Sequence, residues 1–190
     1  MLSCVEGGDN HLHVRPPLTS SLSFMLAPPP LSHLVRQHFG TRELHASEEQ
    51  ACRIFFSHLE LADIRMRFGS LHFSIRYFLP GEPGTGSGVA FAAMDATDQV
   101  LGIVNLAYLT PGAAEMAVIV RSDYKRRGIG HSLLAHAINW AESQGLSEVV
   151  GYVFAENKPM LSLAHRMGLH IVRWDGLDVE IHKCIPPKQH

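Results

Sequence analysis

The stretch from Ala113 to Gly145 constrains the fold more than any other. It reads AAEMAVIV, then RSDYKRRG, then IGHSLLAHAINWAESQG. The first eight residues are almost wholly apolar and predict a strand covered on both faces. Ile129, Leu133, Leu134, Ala137, Ile138 and Ala141 recur at helical spacing and predict a helix that stops near Gly145. A strand, a glycine-containing turn and a helix make an anion site, because the first N–H groups of a helix have no internal partner and carry partial positive charge. Gly128 and Gly130 lack a Cβ, so a ligand oxygen can approach the chain closely. Lys125, Arg126 and Arg127 add charge at the rim. The stretch is neither a P-loop nor a three-glycine dinucleotide fingerprint. By itself it permits a solvated charged turn as readily as a phosphate cradle.

The flanking text supplies the rest of a mixed α/β domain. Ser47 followed by Glu48, Glu49 and Gln50 predicts a helix start, and Ala51, Ile54, Phe55, His58 and Leu59 continue it at helical spacing. A second short helix spans about 61–68 and stops at Gly69. GEPGTGSG (81–88) is a loop. VAFAAMD and VLGIVNLAYL are joined by residues 96–99 as an antiparallel hairpin. SEVVGYVF is a strand. NKPMLSLAHRMG is a helix with Asn157 at its N-cap and Gly168 at its end. HIVRW and LDVEIHKC are closing strands. The order is helix, helix, three strands, helix, strand, helix, strand, strand. It predicts one domain over 31–190, with a sheet that passes from antiparallel to locally parallel. Residues 1–30, with five prolines and a Ser/Thr cluster, are expected to be a flexible tail whose apolar patch, Leu22 to Ala27, has no assigned partner.

Composition narrows the function classes. The formal net charge is −2, which gives no bulk attraction to nucleic acid or to an anionic membrane. No apolar run approaches the length of a membrane span, and the first residues carry no secretory pattern. Cys4, Cys52 and Cys184 are scattered and odd in number, which fits a reducing cytoplasm. Thirteen histidines invite a metal site, but His131 and His136 are five apart, and no His-Glu-x-x-His or Cys-x-x-Cys occurs. No metal is expected.

The wider text, AEMAVIVRSDYKRRGIGHSLLAHAINWAESQGLSEVVGYVFAENKPMLSLAHRMGL, resembles the acetyl-CoA-binding core of the GNAT superfamily of N-acetyltransferases. Lys125-Arg126-Arg127-Gly128-Ile129-Gly130 stands in the family's Gln/Arg-x-x-Gly-x-Gly/Ala loop, with Lys125 replacing the usual Gln or Arg. Asn157 matches the family's downstream asparagine. Gly168-Leu169 stands for its closing Gly-Phe. Upstream, IFFSHLELADIRMRF looks like the two-helix entry of the bacterial Pat-type protein-lysine acetyltransferases, here without the large acyl-CoA-synthetase-like region.

The resemblance implies a mainly antiparallel sheet, helices on both faces and a splayed central strand pair. It implies acetyl-CoA as co-substrate and an amine acceptor, a protein lysine in the Pat type, with the chain a monomer or homodimer. Backbone groups of Val118, Ile119 and Val120 would pair with the pantetheine amides. The N–H groups of Lys125 to His131, above all those of Gly128, Ile129 and Gly130, would hold the pyrophosphate. One of the strand N–H groups can also polarise the thioester carbonyl.

A lysine amine, with pKa about 10.4, is almost wholly protonated at pH 7, a deficit of about 4.6 kcal/mol for the neutral form. A positioned base is the natural remedy. Glu115 is the only acid within the apolar strand, so burial there would raise its pKa toward neutral; the Pat-type resemblance places the base at the same position. The alternative is a strand-end Glu that faces water or pairs with an arginine. The slot where many relatives carry an acid tyrosine is Ala164, after Leu163. Tyr152, Ser162 and His165 are the substitutes, and none is assigned. Three readings follow: a protein-lysine acetyltransferase, a small-amine acetyltransferase, and a non-catalytic acetyl-CoA-binding module. The substrate-side segments 61–90 and 105–113 hold only Asp63 and Glu82 as acids, which favours a shallow, protein-accepting surface.

Overall fold

A computed structural model describes residues 39–69 and 88–186. Seven strands form one sheet: β1 Gly40–Glu43, β2 Gly88–Met94, β3 Val100–Thr110, β4 Ala113–Val120, β5 Glu148–Phe154, β6 His170–Asp175 and β7 Asp178–Cys184. Their spatial order is β1-β2-β3-β4-β5-β7-β6. Every neighbouring pair is antiparallel except β4 and β5. Among the described residues four α-helices accompany them: α1 Glu49–Ser57, α2 Leu61–Phe68, α3 Ile129–Ser143 and α4 Lys158–Arg166. None of these helices is long and apolar enough to cross a membrane.

The sheet separates two cores, as strand alternation requires. On one face Ala114 and Met116 of β4 pack with Leu133, Leu134, Ala137 and Ile138 of α3 and with Ala164 of α4. On the other, Ile103 of β3 and Ile119 of β4 pack with Cys52, Phe55 and Phe56 of α1. Even-numbered residues of β4 therefore face α3, and odd-numbered ones face α1 and α2.

The elements expected from the sequence are present, with two differences. β1 was not expected. Its four residues, GTRE, lie at the sheet edge with no buried side chain, so no alternation marks them. The first helix begins two residues later than expected: a single 3-10 turn over Ala46–Glu48 precedes α1. Glu48 belongs to that turn, where it accepts from the His45 N–H (2.9 Å) and forms a two-point ion pair with Arg42 (2.6 and 3.0 Å). α2 ends as predicted. Gly69 adopts φ +67, and its N–H donates to the Arg65 carbonyl at 2.8 Å. The expected tail over 1–30 and the loop over 81–87 lie outside the described residues.

Candidate active site

β4 and β5 pair over only three positions, Ala113 with Glu148, Ala114 with Val149 and Glu115 with Val150. Beyond Glu115 the two strands diverge, while β4 stays paired to β3 as far as Val120. The backbone groups of β4 that point toward β5 are thus left open to a ligand. A Cβ built on Gly151 would lie 3.4 Å from the Met116 carbonyl oxygen, which fixes that carbonyl as pointing toward β5. Alternation then turns Val118 and Val120 the same way. The Ile119 carbonyl points to β3, within 3.1 Å of a Cβ on Gly102, and its side chain is buried against α1. Of the three residues expected to pair with pantetheine, Val118 and Val120 present their backbone to the gap, and Ile119 turns away from it.

At the mouth of this gap α3 begins without a cap of its own. Gly128 precedes it at φ +85, a left-handed conformation that glycine alone takes at little cost, and no side chain caps the helix. The first turn holds no acid. Nothing stands within 4 Å of a Cβ built on Gly128, so the space in front of the N–H groups of Ile129, Gly130 and His131 is open on that side. Gly130 serves packing instead: a Cβ there would meet Leu163 of α4 at 3.3 Å. Arg126 is also left-handed, at φ +63.

The three basic side chains do not act alike. Arg127 lies over the Tyr124 ring and donates to the Asp123 carbonyl at 3.0 Å. Arg126 is exposed. The Lys125 ammonium forms an ion pair with Asp63 of α2. Across the gap, Asn157 caps α4, its Oδ1 accepting from the Met160 N–H at 3.2 Å. The side chain's NH2 remains as its donor for a ligand.

Glu115 sits where β4 and β5 part, on the α2 side of the sheet. It is half-buried, not enclosed as an all-apolar strand suggested, because its odd-numbered face opens beyond α1. Its neighbours are polar. The Arg67 guanidinium of α2 donates to Asn105 Oδ1 of β3 at 2.8 Å. Burial draws Arg67 down to about 10, with the Glu115 charge opposing, so it stays cationic near neutral pH. Tyr152 of β5 shares this face and is 55% exposed. Partial burial raises its phenol, and the charges of Glu180 and Glu115 raise it further.

A network missed in the sequence lies beside them. His182 of β7 bridges two carboxylates, Nδ1 to Glu148 Oε1 at 2.6 Å and Nε2 to Glu180 Oε1 at 2.8 Å. Burial works against its charged form, but the hydrogen bonds to Glu180 and Glu148 prevail and hold its pKa above the ordinary value. Register explains why these residues meet: Tyr152 stands opposite Glu180, and Val150 opposite His182. Alternation in DVEIHKC puts Glu180 and His182 on one face. Only the strand order, with β7 inserted beside β5, brings that face to Glu115. The acids near Glu115 thus come from β5 and β7, and Asp63, which the sequence reading placed on the substrate side, is engaged with Lys125 and Ser122.

None of the three tyrosine substitutes reaches the position of the missing acid. Ala164 is buried in the core. Ser162 accepts from Arg166 at 2.7 Å, and His165 is exposed. Tyr152 is on the sheet face away from α4.

The family model described as the acetyltransferase (GNAT) family matches residues 43–169. Methionine sulfoximine/methionine sulfone acetyltransferases of Pseudomonas paraeruginosa and Pseudomonas aeruginosa are 33% identical over 84 residues, 42% of this chain and 49% of theirs. The chain thus spans about half the length of the curated relatives it matches. Among solved structures, the GNAT domain of S. lividans PAT superposes with a TM-score of 0.69 at 17% identity, over 77% of this chain and 90% of that one. Spermidine N-acetyltransferase from Vibrio cholerae, solved with CoA and spermine, gives 0.62 at 14%, over 77% and 95%. These superpositions establish the fold.

Proposed function

The chain belongs to the GNAT family of acetyltransferases, which use acetyl-CoA as co-substrate, and from that premise we propose that it moves an acetyl group to a primary amine with Glu115 as general base. One observation carries the reading: Glu115 stands at the last paired position of β4 and β5, on the rim of the gap a pantetheine arm would occupy. The diphosphate would lie on the uncapped start of α3, against the N–H groups from Gly128 to His131, with the basic side chains of residues 125–127 at its rim. The backbone of Val118 and Val120 would pair with the pantetheine amides. Asn157 would add its NH2 from the opposite lip.

In this reading the amine nitrogen attacks the thioester carbonyl as Glu115, directly or through a water, accepts its proton. A β4 N–H stabilises the developing oxyanion. Collapse expels the CoA thiolate. A free thiol has a pKa of about 8.5, so the thiolate can leave without a dedicated acid, and none is assigned.

A protein lysine is the proposed acceptor. The face beside Glu115 is open, Tyr152 is exposed on it, and Glu180 and Glu148 give it negative charge suited to an incoming ammonium. One observation favours a second acceptor, a small amino acid: the Arg67 cation stands near Glu115 and would suit an amine that also carries a carboxylate. The named activity of the curated relatives is on molecules of that kind.

The test has two stages. Acetyl-CoA should raise the unfolding temperature of the purified protein, and no shift at millimolar cofactor would remove the CoA reading. Labelled acetyl-CoA in a cell lysate should then place label in protein bands; label confined to small molecules would select the amino-acid reading. With the acceptor in hand, Glu115→Gln should keep the thermal shift and lose most of the thiol release. Unchanged turnover would exclude Glu115 as base.

A further inference from the structure

The short helix α2 is tied to both sides of the gap. On the β4 side, Ser122 Oγ donates to Asp63 Oδ2 at 2.6 Å and accepts from the Glu60 N–H at 3.0 Å. The other oxygen of Asp63 holds the Lys125 ammonium. On the β5 side, Arg65 Nη2 reaches Glu156 Oε1 at 2.6 Å. Gly69, just past the helix end, lies where a Cβ would sit 3.6 Å from the Phe154 ring. Residues 122–125 follow β4, and Glu156 follows β5, so α2 bridges the ends of the two strands that diverge. Its underside is anchored by the buried Ile64, and it presents Arg67 to the Glu115 face.

The two ties differ in one respect. Arg65 and Glu156 are both about half exposed, and neither belongs to the loop of residues 125–131. Lys125 belongs to the cradle loop, and its partner Asp63 is only 16% exposed. A carboxylate and a bound diphosphate therefore compete for the same ammonium. The Lys125 side chain is 46% exposed, so the ammonium can leave Asp63 toward the cradle while Ser122 still donates to the carboxylate.

We propose that α2 is a latch across the cofactor mouth, and that Asp63 is a positioning residue which shares Lys125 with the bound cofactor. The inference rests on the acetyl-CoA reading above. When the diphosphate draws Lys125 away, Asp63 keeps only its bond from Ser122, and α2 loses one of its ties on the β4 side. The helix loosens, and the face beside Glu115 widens on its α2 side. Because coupling is reciprocal, weakening the latch must strengthen cofactor binding.

Two measurements on the full chain test this. Asp63→Asn should bind acetyl-CoA more tightly, by about fivefold in a calorimetric titration, the lower end of ordinary coupling. In hydrogen exchange, acetyl-CoA should speed exchange of the amides of 61–68 in the unaltered protein. In Asp63→Asn those amides should exchange fast already and stop responding. Lys125→Met should also exchange fast at 61–68 but bind acetyl-CoA more weakly. Glu156→Gln, which removes the other tie of the same latch, should also loosen those amides and bring a gain in affinity. If Asp63→Asn binds acetyl-CoA no better than the unaltered protein, or if α2 exchange ignores the cofactor, the latch is overturned while the CoA reading stands. If the unaltered protein binds no acetyl-CoA, both fall.

Discussion

β4 and β5 are parallel neighbours, and each runs into a helix at the same end of the sheet. The two helix starts are built in opposite ways. α4 is closed by its own chain. Asn157 accepts from the Met160 N–H, and Pro159 has no N–H to satisfy. α3 is left open. Its N-cap position is a left-handed glycine, no side chain reaches back, and no acid stands in its first turn. A side-chain cap is worth about 1 kcal/mol, and α3 forgoes it at a position beside the parallel pair β4 and β5. A helix start without a side-chain cap leaves N–H groups that water or a ligand from outside the chain can take. With both ends in one molecule, each serves as the control for the other.

The comparison breaks most readily at Gly128. Gly128→Val would place a β-branched side chain at φ +85, a conformation that costs an L-residue about 1–2 kcal/mol or more. Its Cβ would project into space the chain leaves empty. Acetyl-CoA affinity should fall tenfold or more, measured by calorimetric titration, with a smaller loss of thermal stability. At the other helix start, Asn157→Ala should remove about 1 kcal/mol of folding stability in chemical denaturation. It should weaken acetyl-CoA only several-fold, as the loss of one hydrogen bond does. A reversal of the two affinity losses would mean that α4, not α3, faces the diphosphate.

This contrast was only partly legible in the sequence. Helix periodicity from Ile129 to Ala141 and the apolar run AAEMAVIV located β4 and α3, and the structure bears out the mixed, locally parallel sheet. The N-cap role of Asn157 was legible too, because a cap is a local property of three or four residues. The partners of Lys125 were not. Asp63 lies 62 positions away in sequence, and only the packing of α2 over the strand ends joins them. The same holds for the face beside Glu115. Glu180 and His182 share a side of β7 by alternation, but the order β5-β7-β6 that brings them to Tyr152 is a choice of topology. The two glycines looked equivalent in the sequence, and the structure separates them: Gly128 for its left-handed φ, Gly130 for its contact with Leu163.

The finest test of the comparison is to give α3 what it lacks. His131 is exposed in the first turn of α3. His131→Glu would set a carboxylate against the unpaired N–H groups and the positive end of the helix dipole. Such a charge is worth about 0.3–1 kcal/mol at an exposed helix start. The cofactor-free protein should therefore become more stable by that amount in chemical denaturation. The same carboxylate occupies the field that would attract the diphosphate, so acetyl-CoA should bind several-fold more weakly. Both changes should shrink together as salt is raised, since both depend on a solvent-exposed charge. Opposite signs from one substitution separate a ligand site from a merely imperfect helix. If α3 is uncapped only because its sequence is unrefined, His131→Glu will stabilise the protein and leave acetyl-CoA binding unchanged. If its open end is the diphosphate site, stability and affinity must trade against each other.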